Sequence, residues 1–303
     1  YPAEHGAHNR NIRLRSDIPT LAEILGNNGY YTIAIAQKGG WMNPIFGLPR
    51  GFKKLYDKER IKVSPLPNLP EKMSEIFGWF YKASGGRYFT GYENLTEYVV
   101  KKEIGNVRKP FFLFLQLMDT HLPYTPPIRF QKFGNKPFPY SLIPYEKLGI
   151  GIYNNIYLRR RKYNAGLKGF TDEEIELMNK LYDGTVAYSD YQIGRYIDFL
   201  EDKGILDETF VMITADHGEY IGEYGLLGHE LGLHDILIKV PLIIRYPELL
   251  PQGKRFHDQV EMKDIFYTLL GITGLSENDK YRENSLIEMV RLGKGKKYVF
   301  GEY

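Results

Sequence analysis

Three features of the 303-residue sequence predict an α/β fold, a doubly wound and mainly parallel sheet with helices on both faces. The first is a set of continuous apolar runs, Phe111 to Leu117, Thr209 to Ala215 and Val240 to Tyr246, which suit strands buried on both faces. The second is the helical periodicity of the segments that separate them. The third is the placement of polar, chemically capable residues directly after those runs, where open α/β sheets collect their functional groups.

The elements follow in chain order. Ser16-Asp17-Ile18-Pro19-Thr20, followed by Leu21, Ile24 and Leu25 at helical spacing, reads as a capped helix start, with Gly29 placed to end the helix. Tyr30 to Ala36 reads as a strand. A helical pattern around Glu97 to Ile104 and the breaker Pro110 precede the strand Phe111 to Leu117. Thr171 and Glu174 have capping-box spacing, and Ile175, Leu181, Val186, Ile193, Ile197 and Leu200 trace one long helix that Gly204 terminates. Val260 to Leu270 reads as a further helix and Lys297 to Phe300 as a last short strand. Residues 53–87 and 131–168 are rich in Pro, Gly, Tyr and Lys and read as irregular insertions in a single domain over residues 1–303. The cluster Arg159-Arg160-Arg161-Lys162 reads either as a solvated loop or as a contact for an anionic substrate.

Composition narrows the chemistry. Forty basic and thirty-seven acidic residues leave a net charge of +3, too small to argue for nucleic acid, so none is expected as a partner. The sequence contains no cysteine, which excludes thiolate metal sites and cysteine nucleophiles within it and leaves oxygen and imidazole as metal ligands. Its apolar runs are far shorter than the roughly 20 residues that span a bilayer, so no membrane segment is expected. Tyr1 to Gly6 has neither a basic nor an apolar run, an opening that favours a cytoplasmic location for the chain as it stands.

Asp216-His217-Gly218-Glu219 follows a predicted strand directly, so a carboxylate and an imidazole emerge together at its carboxyl end beside a glycine that permits a tight turn. Such a pair can converge on one metal ion; it can also be an ordinary turn closing a loop. His121 stands just past another strand, where it can contact an anion or a leaving oxygen, or be satisfied by backbone. His229 and His234 lie in a Gly-rich loop, so most histidines fall beside core strands, where a neutral imidazole is useful at pH 7.

The order of the segments says more than any one of them. Tyr1-Pro2-Ala3-Glu4-His5-Gly6, Asp17 to Leu25, Gly29 to Thr32, Gly51-Phe52, Phe111 to Tyr124, Tyr182 to Leu200, Thr214 to Glu219, Gly228-His229-Glu230 and Lys239 to Ile244 recur in sequence along most of the chain. In this order they resemble the sulfatase branch of the alkaline-phosphatase-like superfamily. The resemblance implies a metal-dependent hydrolase of sulfate esters, a sulfuric ester hydrolase, acting on a small-molecule or glycan sulfate or phosphate ester. It implies Asp216 and His217 as ligands of one divalent ion, calcium, magnesium or manganese, with zinc as another candidate favoured by the imidazole. His121 and His229 would bind the ester and assist the leaving group, and Lys38 stands near the family's Lys-x-His pair, whose second position here is Gly40.

Departures from the family pattern carry expectations too. The strand with paired aspartates and the Cys- or Ser-x-Pro-x-Arg signature that supplies the nucleophile do not occur in these residues, nor does the small C-terminal sheet. The chain therefore resembles the central part of a longer protein with an incomplete fold, expected to hold metal weakly and to be inactive by itself. Asp-His at 216–217 is also similar to phosphonate monoester hydrolases and phosphoglycerol transferases, which makes a phosphonate or phosphodiester hydrolase the alternative. A non-catalytic homologue binding an anion or a partner chain is the third reading.

Overall fold

The computed structural model describes residues 13–37, 40–57, 91–107, 110–131, 153–167, 169–275 and 283–301. They form two compact units, one from the described residues up to 199 together with 221–226, the other from 200–220 and 227–301.

The first unit is organised by a parallel sheet of β1 (Tyr31–Ala36), β2 (Lys54–Asp57) and β3 (Phe111–Gln116) in the order β2-β1-β3. Both neighbours run parallel to β1, with Ile33 opposite Lys54 on one side and opposite Leu113 on the other. The central place of β1 explains its burial: Ile33, Ala34, Ile35 and Ala36 have lost essentially all contact with solvent, which for each isoleucine is worth about 1.5–3 kcal/mol. Thr32 is equally buried and is satisfied by backbone, donating to Gly51 O at 2.6 Å and accepting from Lys53 N at 2.9 Å. β3 was expected to be buried on both faces. It is instead partly exposed, Phe114 included, and among the described residues it is hydrogen-bonded to a strand on one side only.

Helices α1 (Leu21–Asn27) and α2 (Gly91–Gly105) flank these strands. α1 starts where its capping chemistry dictates: Glu23 N donates to Thr20 Oγ1 and Thr20 N donates to Glu23 Oε2, and Gly29 follows at φ +88°. The predicted insertion at 53–87 begins with β2, and its remainder lies outside the described residues. The predicted insertion at 131–168 lies partly outside them as well, but its end is helix α3 (Tyr153–Asn164). The basic cluster is thus helical rather than a solvated loop. Arg159 bridges Glu174 at 2.6 Å and covers the ring of Phe170, and Arg160 is buried over Tyr157. Guanidinium groups with long apolar stems can be tucked against aromatic faces, a fate that a charge count does not reveal.

The long helix α4 (Asp172–Asp202) begins with the expected capping box between Thr171 and Glu174. Met178, Leu181, Thr185, Tyr188, Gln192 and Tyr196 are buried at steps of three or four residues, a single face of the helix. Gly184 is required on that face, since a Cβ there would stand 2.6 Å from Phe130 O.

In the second unit β4 (Val211–Thr214) pairs with β5 (Leu242–Arg245). The pairing is antiparallel, Val211 opposite Arg245 and Thr214 opposite Leu242, although the sequence suggested parallel strands here. Apolar periodicity reports burial and carries no information on strand direction. Its described helices include α5 (Asp235–Ile238), α6 (Lys263–Ile272) and α7 (Leu286–Leu292). Lys297 to Phe300 does not form a strand. The segment is anchored just before it, where Lys296 N donates to Gln259 O at 2.8 Å and Lys296 Nζ donates to Glu261 and Asp264. Among the described residues, no helix is long and apolar enough to cross a membrane.

Candidate functional site

β4 delivers Asp216-His217-Gly218-Glu219 into a turn held from the following segment. Thr214 Oγ1 donates to Pro241 O at 2.9 Å, and Gly218 N donates to Leu237 O at 2.7 Å. A Cβ on Gly218 would stand 1.9 Å from Ile236 O, so only glycine lets the two segments approach this closely. The turn divides the tetrapeptide by burial. Asp216 projects outward, its side chain 80% exposed, and Glu219 is turned in, its side chain 5% exposed.

The hydrogen bonds of the two imidazoles define their tautomers. His217 Nδ1 lies 2.8 Å from Gly218 O, which can only accept, so Nδ1 carries the proton and Nε2 the lone pair. His229 Nδ1 lies 2.9 Å from Glu219 Oε2, and the same logic leaves the lone pair on its Nε2. The two rings stack with centroids 4.0 Å apart and planes inclined by 29°. Asp216 Oδ1 accepts from His217 N at 3.1 Å, and Asp216 Oδ2 lies 3.6 Å from His217 Nε2. His234 is tied separately, sharing a hydrogen bond with the hydroxyl of buried Tyr220.

This donor set suits a divalent cation. Ligand atoms of His217, Glu219 and His229 lie within 4.8 Å of one another, and Glu219 Oε1 is buried without a hydrogen bond among the described residues. A buried orphan carboxylate oxygen beside two imidazoles is a place where positive charge is favoured. Of the two ligands expected from sequence, His217 belongs to this cluster, and Asp216 adjoins it through His217. Glu219 was given no role by sequence reasoning. No local signal singled it out, because the segment after β4 is a turn and its burial is set by the packing of Ile236 and Leu237 against Gly218.

His121 belongs to the other unit. Its Nδ1 lies 2.7 Å from Leu122 O, and its N–H donates to Met118 O at 3.2 Å. The loop that carries it is secured by a chain of amides: Met118 N donates to Gln37 Oε1, Gln37 Nε2 to Gln192 Oε1, and Gln192 Nε2 to Asp119 Oδ2 at 2.8 Å. Lys38 lies outside the described residues. Burial raises the Asp119 carboxyl above its ordinary range, against the opposing hydrogen bonds from Gln192 and Gln37. A raised carboxyl means that the folded chain holds this proton more tightly than the unfolded chain does. Its stabilising contribution is present below the ordinary carboxylate range and is lost as pH rises through the raised value. Asp119→Asn should therefore gain in Tm relative to the parent as pH is raised from about 4 to about 7. Thermal melts at both pH values check this, and a gain at the lower pH alone would contradict the burial argument.

Comparison with known proteins matches the family model described as Sulfatase to residues 1–275. The chain is 28% identical over 302 residues to arylsulfatase K of Xenopus laevis, covering 93% of this chain and 54% of the relative, so it spans about half that protein's length. Its fold is like that of the phosphonate monoester hydrolase of Silicibacter pomeroyi, with a TM-score of 0.66 at 19% identity over 98% of this chain and 66% of the other. A protein solved in complex with its substrate D-glucosamine-2-N,6-O-disulfate gives the same TM-score, 0.66, at 18% identity over 97% and 68% of the two chains. At these identities the structural likeness concerns the fold alone.

Proposed function

The chain belongs to the sulfatase family, and from that premise we propose that it acts as a metal-dependent hydrolase of sulfate esters, with Asp216 and His217 holding one divalent ion. The observation that carries this reading is the stacked pair of imidazoles, His217 and His229, each with its Nδ1 proton engaged locally. When bound, the ion would polarise the non-bridging oxygens of the ester. Gly218 O keeps His217 in the tautomer that offers Nε2 as a ligand, and Asp216 adds a carboxylate beside it. The mixed oxygen and nitrogen donors favour manganese or zinc over calcium and magnesium.

His229 is assigned to the ester, where its Nε2 would meet an ester oxygen or, once protonated, hand a proton to the leaving group. His121 and Lys38 take ester-binding roles on the strength of the family resemblance. The substrate class follows the names of the relatives, arylsulfatase K among them, and the glucosamine disulfate complex makes a sulfated glycan a candidate. A second reading, phosphonate or phosphodiester hydrolysis, is favoured by the Asp216-His217 pair and by the phosphonate monoester hydrolase among the fold relatives.

The test is a comparison of initial rates on 4-nitrophenyl sulfate and 4-nitrophenyl phenylphosphonate, before and after chelation and with manganese, zinc or calcium restored. In a protein that also supplies the nucleophile signature and the paired aspartates, sulfate-ester hydrolysis that chelation abolishes and manganese or zinc restores is the expected result, whereas residues 1–303 alone are expected to turn over neither ester at an enzyme's rate. Faster turnover of the phosphonate would replace the first reading by the second. A rate indifferent to chelation would remove the metal from both.

A further inference from the structure

We propose that Glu219 is a positioning residue for His229: it selects the imidazole tautomer and sets the direction in which Nε2 faces. The inference deepens the reading of the site given above and rests on it for its functional consequence, while its structural content stands on geometry alone.

A carboxylate whose side chain is 5% exposed is costly to keep unless a donor compensates it, and here His229 Nδ1 lies 2.9 Å from Glu219 Oε2. Because the two ring nitrogens lie on opposite sides of an imidazole, fixing Nδ1 on Glu219 sends Nε2 the other way. The hydrogen bond holds the ring edge, and the stack on His217 at 4.0 Å holds the ring plane. Together they leave His229 neither a free ring rotation nor a free choice of tautomer. Glu219 is in turn held by the Gly218 turn, pinned to Leu237 O at 2.7 Å, so the direction of His229 is referred back to the backbone. Carboxylate partners of this kind orient histidines in metal and hydrolase sites, and their loss commonly lowers activity by about 10–100-fold.

The tautomer can be read without any activity. In the purified protein with 15N-labelled histidine, at a pH of about 9 where a histidine of ordinary pKa is neutral, long-range proton–nitrogen correlation should show His229 protonated on Nδ1. In Glu219→Leu the same ring should move toward the Nε2–H form, whereas Glu219→Gln, which keeps an acceptor oxygen, should retain the Nδ1–H form. In a protein that also supplies the nucleophile signature, Glu219→Leu should lower kcat on a sulfate ester by about 10–100-fold with KM changed far less, and Glu219→Gln should recover much of the loss. An Nε2–H tautomer in the parent protein overturns the proposal, and this measurement needs no variant to fold. So does an unchanged His229 signal in a folded Glu219→Leu. If the tautomer follows Glu219 as expected but no ester is turned over, it is the proposed function that fails and the positioning role that stands.

Discussion

Replacing Gly218 by alanine should be among the most damaging single changes available to this chain. The added methyl would lie 1.9 Å from Ile236 O, a backbone atom that cannot rotate away, so the turn must open. Opening it breaks the Gly218 N to Leu237 O bond and separates His217 from Glu219, the two residues that the turn brings to His229. The expected loss is on the order of 3 kcal/mol or more, a fall in Tm of roughly 10 °C, together with loss of any metal-induced rise in Tm. Differential scanning with and without manganese measures both effects. A variant that melts within about 2 °C of the parent and still responds to metal would show that the segments can separate cheaply and that the close approach is not what holds the site.

The second large effect is expected at the start of α6. Asp264 has no solvent exposure, Glu261 is nearly as buried, and Lys296 Nζ donates to both. Glu261 also accepts from Phe300 N at 3.2 Å, and Asp264 Oδ2 accepts from Glu261 N at 2.8 Å, so the charged group ties the end of the described chain to the start of α6. Lys296→Met leaves Asp264 fully buried without its cation, while Glu261 keeps Lys263, whose Nζ lies 3.3 Å from Glu261 Oε2, and the change should cost about 3 kcal/mol. Adding Asp264→Asn to it should recover a substantial part, since the stranded charge is then gone. Urea unfolding of the parent, the single variant and the double variant forms the test. A Lys296→Met protein as stable as the parent would mean that Lys296 is not what compensates Asp264, the carboxylates being served by Lys263, protons or water instead.

Much of the architecture was legible because it follows from local rules. Ser16 to Thr20 ahead of Leu21, and Thr171 with Glu174, announce two helix starts, and the run Tyr30 to Ala36 announces a strand. Asp216 and His217 were visible as a candidate because a strand pattern ends just before them, and the ordered segments from Tyr1 to Ile244 sufficed to point to the family that residues 1–275 match.

What the sequence could not decide were relations between distant parts. The direction of β5 against β4 depends on how the intervening chain returns, which apolar patterning does not encode. The fate of Arg159 and Arg160 depended on the ring faces and carboxylate that folding placed beside them. Glu219 stands in the same tetrapeptide as the predicted ligands, yet nothing local distinguishes an exposed carboxylate from a buried one: Asp216 and Glu219 are three residues apart and differ almost completely in exposure. That difference arises because Ile236 and Leu237 press against Gly218 and turn one acid toward solvent and the other toward His229. A charged group's role is set by what desolvates it, and desolvation is a property of the packed structure that local spacing does not specify.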